Sequence, residues 1–456
     1  MTYRRVRRYF FCEVIKMTNS IASRHGFTVR DNELWIEDLP VSAIAKAAGT
    51  PVYIYSERKL TEMMTAFENN FKSDQFATRT VFASKAFNVV EMLRLAAKCG
   101  LGLDVVSAGE LYTAKAAGFP MEKVVFHGNN KSEEELRMAY EYGVGTIVLD
   151  NLPEARHLAA LALEYPEASV SALLRVNPGV EAHTHEFIVT AHPDSKFGVL
   201  ASQMDQIIEI ASVFDDVPQV SFDGFHAHIG SQIFEKKAFV SEIGIMSKAM
   251  AEFEKQTGRT LKTLDLGGGF AVWYTMEDKP VDIAEMCQTI VGACQEEFAA
   301  NNLKIENVWI EPGRSIVGNA GVTVYEIGML KKTPHKTYAF IDGGMHDNIR
   351  PALYQAEYSS DLALKMDQEK TEVYAIAGKC CESGDIIIQK ALLPKAEPGD
   401  LLVTYSTGAY GYSMASHYNK NKIPPVVFVS GDQARFVVKP ESWQDIIARE
   451  VSERII

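Results

Sequence analysis

The chain has 456 residues, of which 47% are apolar and 23% are charged, and its formal net charge at pH 7 is −13. A chain of this length predicts two domains, one of them large, with enough apolar residues to bury a sizeable core. The acidic balance argues against a nucleic-acid partner, which needs a basic surface, and no apolar run approaches the roughly 20 residues that cross a membrane.

The first residues differ in composition from the rest of the chain. The stretch MTYRRVRRYFFCEVIK is basic, and Glu13 and Lys16 interrupt its apolar part, so it makes a poor signal peptide. The natural start is either Met1 or Met17. We expect residues 1–28 to form a flexible N-terminal extension.

Short β-rich runs alternate with helical patterns from about residue 79 to residue 313. The runs are TVFAS, LGLDVV, KVVFHG, TIVLD, SALLRVN, FDGFHAHIG, LKTLDLGGG and NVWIEPG. Between them, stretches such as VVEMLRLAAKCG and SEEELRMAYEYG carry apolar residues at three- and four-residue spacing. Strand–helix units in this series predict an α/β fold with a (β/α)8 TIM barrel, which we assign to residues 51–318.

The pattern changes after about residue 319. Short strands such as VTVYEIGML, TYAFIDGG and TEVYAIAG follow one another with turn residues between them and little helix. This pattern predicts a mostly β domain formed by residues 29–50 and 319–456. The early runs ELWIEDL and PVYIYS either join this domain or bridge to the barrel.

Polar residues stand where the predicted barrel strands end, and in such a barrel these carboxyl ends form the active-site face. The strand ends carry Lys85, Asp104, His127, Asn177, His228, the run Gly267–Gly268–Gly269, and Glu311 with Arg314. A lysine there is unusual because a buried ammonium costs free energy, although a lone lysine can also extend to the rim. The glycine run is either a plain turn or a loop whose N–H groups hold a phosphate.

These residue types together predict a pyridoxal phosphate site. The lysine would bind the cofactor as a Schiff base, and an acidic side chain would keep the pyridine nitrogen protonated so that the ring accepts electrons. His228, within FHAHIGSQ, would lie against one face of the ring. We therefore interpret the end of that strand as a cofactor seat rather than a simple turn.

A series of motifs resembles the diaminopimelate decarboxylase family, which belongs to the fold-type III, alanine-racemase-like pyridoxal phosphate enzymes. In order, the motifs are FASKAF, GLDVVSAGEL, FHGNNKS, RVNPGVEAHTHEF, DSKFG, HIGSQ, LGGGF, EPGR, DGGMHDNIRPALY, CESGD and GAYGYSMASHYN. The resemblance extends from about residue 30 to residue 440. FASKAF departs from the commoner YAVKAN, and two adjacent cysteines precede Glu382 where the family usually has one.

The resemblance implies roles for individual residues. Lys85 would carry the cofactor, with Asp104 and Glu110 supporting it. His228 would stack on the pyridine ring, and Glu311 would pair with the ring nitrogen. The other cofactor contacts would come from Ser231, Gly269, Pro312, Gly313, Arg314 and Tyr410.

The resemblance also implies a set of substrate contacts, namely Arg314, Arg350, Tyr354, Glu382 and Tyr410, with Cys381 as the acid that protonates the carbanion after carbon dioxide leaves. Arginines suit carboxylates, and Glu382 can pair with an ammonium, which favours a dicarboxylic diamine as substrate. Alternatively, one arginine pairs with a structural acid, and Cys381 is a small core residue. Cys380 is expected to be a packing residue.

The sequence therefore predicts a carboxy-lyase that converts meso-2,6-diaminopimelate to L-lysine and carbon dioxide, the last step of lysine biosynthesis. The alternatives are a decarboxylase of D-ornithine, D-lysine or arginine, a racemase, and a non-catalytic pyridoxal phosphate-binding protein. The CESGD motif counts against a racemase, and the β domain counts against the non-catalytic protein.

The expected partners are a small amino-acid substrate and a second copy of the chain. The resemblance implies a homodimer in which the CESGD loop of each subunit completes the neighbour's active site. The 6 cysteines show neither metal-type spacing nor a secreted disulfide framework, so we expect a cytoplasmic protein without a metal.

Overall fold

The computed structural model describes residues 20–179, 194–453 and 455. Most of the predicted N-terminal extension and the EAHTHEF part of one motif lie outside these residues. Residues 20–28, which we expected in the flexible extension, are folded. Ser20 caps a short helix, Ile21–Arg24, through its hydroxyl, and Phe27 is buried in a hydrophobic core. These contacts anchor the segment.

The strands and helices of the described residues alternate along most of the chain. The strands are β1 Thr28–Arg30, β2 Glu33–Ile36, β3 Leu39–Pro40, β4 Val52–Ser56, β5 Ala77–Ala83, β6 Gly102–Val105, β7 Val124–Phe126, β8 Thr146–Leu149, β9 Val170–Asn177, β10 Val199–Leu200, β11 Val220–His226, β12 Thr263–Asp265, β13 Asn307–Ile310, β14 Gly321–Lys332, β15 Thr337–Ile341, β16 Ser360–Leu362, β17 Glu372–Ala377, β18 Ile386–Leu393, β19 Leu401–Thr404, β20 Val426–Ser430 and β21 Gln433–Val438. The α-helices are Ile21–Arg24, Val41–Ala48, Glu57–Asn70, Val90–Lys98, Ala108–Ala117, Glu133–Tyr142, Leu152–Ala162, Met204–Ser212, Lys236–Thr257, Ile283–Ala300, Arg314–Val317, Arg350–Tyr354 and Trp443–Ile447.

Parallel strands close into a barrel in the order β9–β11–β12–β13–β5–β6–β7–β8, and β8 pairs with β9 to complete the ring. These eight strands coincide with the β-rich runs of the sequence, so the (β/α)8 prediction is confirmed. Helices cover the outer face of such strands and side chains fill the interior, which explains why β6, β7 and β8 are buried throughout. Inside, Val81, Val125, Val148, Leu173 and Trp309 pack together.

The remaining residues form a β-rich unit, as predicted. Its larger sheet has the path β18–β17–β15–β14–β4–β20–β21. Most neighbours along this path are antiparallel, whereas β15–β17 and β4–β20 are parallel. Val52, Ile54, Val322, Val324 and Val403 contribute to one of its cores.

The chain divides into two compact units. The β-rich unit comprises the described parts of Met1–Leu60, Val272–Lys279 and Val317–Ile456, and the barrel unit comprises Thr61–Ala271 and Pro280–Ile316. This division differs from the predicted barrel of residues 51–318, because residues 51–60, 272–279 and 317–318 belong to the β-rich unit. The strand β4 pairs with β14 and β20, and Val272 and Tyr274 pack in a core with residues of the β-rich unit. Among the described residues, no helix is both long and apolar enough to cross a membrane.

Candidate active site

Lys85 lies in a short 3-10 turn, Ser84–Ala86, directly after β5. Its Nζ is 2.6 Å from Oδ2 of Asp104 on β6. The Asp104 side chain is 0% exposed and the Lys85 side chain is 42% exposed, so the amine is held by a buried carboxylate yet remains accessible. A buried carboxylate needs such a partner, because an unpaired charge in the interior is strongly destabilising.

Glu311 follows β13 and meets two imidazoles. Its Oε1 is 2.7 Å from Nε2 of His127, and its Oε2 is 3.2 Å from Nε2 of His226. His127 also lies near Asp104, with 3.8 Å between Nε2 and Oδ1. Lys85, Asp104, His127 and Glu311 therefore form a continuous line of polar groups at the carboxyl ends of the barrel strands.

His228 lies two residues beyond β11, where its Nδ1 accepts a hydrogen bond of 3.1 Å from the N–H of Gly268. Burial, and then the positive charges of Arg175 and Lys85, lower the pKa of His228 well below its ordinary value. The ring is therefore neutral at pH 7. With Nδ1 as acceptor, the proton resides on Nε2.

The glycine run after β12 is required by close approaches of the backbone. A Cβ on Gly268 would lie 2.2 Å from the carbonyl oxygen of Glu311. Gly269 has a φ of +108°, and a Cβ there would lie 2.5 Å from the carbonyl oxygen of Gly230. Side chains are excluded at both positions, so the backbone itself lines this part of the site.

Arg314 begins the helix that follows Glu311. Its Nη2 donates to Oγ of Ser231 at 2.9 Å, and its Nε donates to the same oxygen at 3.3 Å. Pro312 and Gly313 form the intervening turn, in which the Pro312 carbonyl accepts from the N–H of Ala83 at 3.2 Å. The end of β5 is thereby tied to the end of β13.

Glu110 lies in the first turn of the helix Ala108–Ala117, which Ser107 caps. Its Oε2 accepts from the N–H of Val106 at 2.7 Å. Burial, followed by the charge of Asp104, raises the pKa of Glu110 to about 7. This carboxyl group therefore changes its protonation near neutral pH beside the lysine–aspartate pair.

Three of the predicted substrate residues in the β-rich unit, Arg350, Tyr354 and Tyr410, lie close together. Arg350 is 7% exposed, and its Nε donates to the hydroxyl of Tyr358 at 3.0 Å. The guanidinium lies 5.2 Å from the ring centroid of Tyr354 and 5.4 Å from that of Tyr410. An arginine enclosed by aromatic rings presents a fixed positive charge.

The CESGD segment is anchored by a buried acid. Asp385 is 3% exposed and accepts from the N–H groups of Cys380 and Met345 at 2.8 and 2.7 Å. The Cys380 thiol is buried, as predicted for a packing residue, and lies 3.4 Å from Nδ1 of His346. In contrast, Cys381 and Glu382 are exposed. The alternative interpretation of Cys381 as a small core residue is therefore excluded, and its role as the proton donor stays a prediction.

The comparison with known proteins identifies the family. A family model described as "Pyridoxal-dependent decarboxylase, pyridoxal binding domain" matches residues 57–318. The chain belongs to this family. The resemblance inferred from the motifs is thus confirmed.

Similar proteins cover nearly the whole chain of this pyridoxal-dependent decarboxylase. The diaminopimelate decarboxylase of Bacillus subtilis (strain 168) is 45% identical over 429 residues, covering 93% of this chain and 97% of the relative. That of Bacillus methanolicus is 44% identical over 421 residues, covering 91% and 96%. The solved structure of diaminopimelate decarboxylase from M. jannaschii in co-complex with L-lysine has a TM-score of 0.87 and 31% identity, covering 94% of this chain and 98% of that chain.

The barrel residues fit the cofactor that this family uses. Lys85 offers an accessible amine, and the carboxylate of Glu311 lies at the same end of the barrel with its charge stabilised. The glycine run and the pair of Ser231 with Arg314 provide backbone and side-chain donors suited to a phosphate. The residues present are therefore those that pyridoxal phosphate requires.

Three charged or polar residues of the barrel strands were missed by the sequence reasoning, namely Arg175, His226 and Asp265. His226 and Asp265 are almost completely buried, and burial lowers the pKa of Arg175 despite the nearby carboxylates. The available signal was the presence of ionisable residues inside apolar barrel strands, where they have to be paired.

Proposed function

We propose that the chain decarboxylates meso-2,6-diaminopimelate to L-lysine and carbon dioxide with pyridoxal phosphate. The observation that carries the proposal is the line from the accessible amine of Lys85, through Asp104 and His127, to the ionised Glu311. The names of the similar proteins support diaminopimelate as the substrate. The solved structure in complex with L-lysine supports lysine as the product.

The barrel residues would hold the cofactor and set its charge. When bound, pyridoxal phosphate supplies an electron sink for the electron pair left when the carbon–carboxylate bond breaks. Lys85 would hold the cofactor through its amine, and Asp104 would keep that amine in place. Glu311 would hold a proton at the ring nitrogen, and His228 would lie against the ring as a neutral imidazole.

The β-rich unit would supply the groups that recognise and protonate the substrate. Arg350 is suited to a carboxylate of diaminopimelate, because its charge is permanent and its Nε is already fixed by Tyr358. Glu382 would pair with an ammonium group. Cys381 would deliver a proton from Sγ to the carbon that loses carbon dioxide. Arg314, in the barrel unit, would be a second contact to a carboxylate.

We further propose a homodimer in which the CESGD segment completes the active site of the neighbouring subunit. Support comes from the exposure of Cys381 and Glu382 in the single chain. A proton donor works best where water is excluded, which requires a surface that covers it. The mass of the protein in solution, measured by light scattering, checks the dimer. A cytoplasmic location stays a prediction, which cell fractionation checks.

The decisive assay offers the enzyme meso-diaminopimelate and, in parallel, D-ornithine, D-lysine and arginine. We expect equal amounts of carbon dioxide and L-lysine from meso-diaminopimelate and much slower release from the others. Faster release from another amino acid would support the alternative decarboxylase. Pyridoxal phosphate binding without release from any of them would support a non-catalytic protein.

A further inference from the structure

Glu311 makes a hydrogen bond with each of two histidines, His127 and His226, to which the family resemblance assigns no role. His127 follows β7, and His226 is the last residue of β11. One imidazole Nε2 faces each carboxylate oxygen, at 2.7 Å for His127 and 3.2 Å for His226. The two rings are 4.7 Å apart and tilted by 69°. Each imidazole therefore forms a hydrogen bond with a different carboxylate oxygen of Glu311.

We propose that His127 and His226 are positioning residues that hold the Glu311 carboxylate ionised and oriented toward the pyridine nitrogen of the cofactor. Neither histidine needs to touch the substrate in this role. The inference rests on the proposed function, because it requires pyridoxal phosphate in the barrel. A fixed, ionised Glu311 keeps the ring nitrogen protonated, which strengthens the electron sink.

The protonation of His226 and Glu311 follows from their surroundings. Burial lowers the pKa of His226 to about 3, so this imidazole is neutral at pH 7 and acts as a hydrogen-bond donor. Its Nε2 carries the proton because it faces a carboxylate oxygen, whereas its Nδ1 has no hydrogen-bond partner among the described residues. Burial raises the pKa of Glu311, but the two histidines reverse this effect and hold it well below the ordinary value.

The other charged groups near Glu311 also favour its ionised form. Burial, and then the charge of Glu311, raise the pKa of Asp265 well above its ordinary value. Asp265 therefore takes a proton in preference to Glu311. Asp104 is paired with Lys85, and Arg175 adds a positive charge that interacts with all three acids. The two histidines stabilise the ionised Glu311 because His127 is hydrogen-bonded to one of its carboxylate oxygens and His226 to the other.

A metal ion is the other use of two histidines and a glutamate. Their candidate ligand atoms lie within 4.8 Å of one another. However, two ligands of a tetrahedral zinc ion are about 3.3 Å apart, since each lies about 2.0 Å from the metal. The 2.7 Å between His127 and Glu311 is instead the length of a direct, charge-assisted hydrogen bond.

The test compares side chains that differ in reach. At each histidine, Gln places an amide N–H near the position of Nε2, whereas Asn is too short to reach Glu311. The cofactor-free protein and the variants H127Q, H127N, H226Q and H226N are titrated with pyridoxal phosphate and with an analogue that has carbon in place of the ring nitrogen. Both compounds can bind Lys85, but only the first can pair with Glu311. H157N, an exposed site, is the control.

We expect the unmodified protein to prefer pyridoxal phosphate, and each Asn variant to lose about tenfold or more of that preference, the size of a hydrogen bond to a charged group. The Gln variants should keep the preference within about threefold, as should H157N. In E311Q the preference should already be lost, so adding H226N should change it no further. This last comparison separates an action through Glu311 from a direct one.

Three results would overturn the inference alone. If the Asn variants bind both compounds more weakly by the same factor, the histidines only support the fold. Gln variants that behave like the Asn variants would exclude a hydrogen-bond donor as the cause. Stoichiometric zinc in elemental analysis would make the cluster a metal site. Failure of the unmodified protein to bind either compound would instead refute the proposed function, and the inference with it.

Discussion

The barrel and the β-rich unit present their functional groups differently. In the barrel, Asp104, His127 and Glu311 are buried and paired. In the β-rich unit, Cys381 and Glu382 are exposed on a segment whose anchoring residues are buried. Electrostatic stabilisation works best when dipoles are fixed in advance, so the cofactor side is prepared before binding. In the proposed dimer, the groups that act on the substrate would acquire their surroundings only when the neighbouring subunit covers them.

The largest effect should come from the barrel lysine. K85A should lower turnover by about a thousandfold or more, because the group that holds the cofactor is lost. Borohydride treatment of the unmodified protein, followed by peptide mapping, should find the cofactor attached to Lys85. K98A is the control, since Lys98 is exposed at the end of a helix, and it should retain full activity. A label on another lysine would refute the assignment of the barrel site.

The adjacent cysteines allow a sharper comparison between an exposed and a buried thiol. C381A should lower kcat by about 100-fold or more, the usual contribution of a positioned acid. C380A removes a buried packing thiol, so it should cost about 1 kcal/mol of unfolding free energy and change kcat little. Steady-state kinetics and urea unfolding of both variants measure these effects. The reverse pattern would exchange their roles.

Arg350 tests whether the β-rich unit recognises the substrate. R350A should reduce kcat/KM for diaminopimelate by a factor corresponding to about 2–5 kcal/mol, because it removes a charged contact to a carboxylate. Cofactor affinity should stay the same, because the proposed cofactor groups other than Tyr410 belong to the barrel. Titration with pyridoxal phosphate beside the kinetic assay separates the two effects. Unchanged kinetics with diaminopimelate would mean that Arg350 is not a substrate ligand.

The smallest effect concerns the stability of the β-rich unit. His25 donates to the Ile21 carbonyl and bonds with Ser406, and burial lowers its pKa to about 4. The folded state thus favours the neutral ring. The neutral His25 ring therefore contributes fully to the free energy of unfolding above the ordinary pKa of 6.5. This contribution is lost as the pH falls toward 4. The parent should lose about 2 kcal/mol more than H25Q between pH 7 and pH 5. Urea unfolding at both pH values measures this difference, and equal losses would contradict it.

The sequence predicted the barrel well because its strands are continuous apolar runs that end in polar residues. Closure of the barrel then brings Lys85, Asp104, His127 and Glu311 together without further information. His226 was missed because the predicted run FDGFHAHIG extends beyond it, and its partner Glu311 is 85 positions away. The domain to which β4 belongs was also open, because an apolar run of this kind occurs in both units. Its pairing with β14 assigns it to the β-rich unit.

The exposure of Cys381 could not be read from its motif. The sequence gives two identical thiols side by side, and only the folded structure shows that Cys380 is buried and Cys381 is exposed. The N–H of Cys380 is bound by Asp385, whereas that of Cys381 donates to the side chain of Asn419 at 2.7 Å. The contact with Asn419, 38 positions away in the sequence, is not visible in the motif itself.

Complementation tests directly whether barrel groups of one subunit act with the CESGD segment of the other, as we propose. K85A and C381A proteins, each nearly inactive, are mixed under conditions that exchange subunits. Half of the dimers are then mixed, and each has one intact site of two, so about a quarter of the parental activity should return. Verified mixed dimers that stay inactive would contradict the claim, because every site would then combine Lys85 and Cys381 of the same chain.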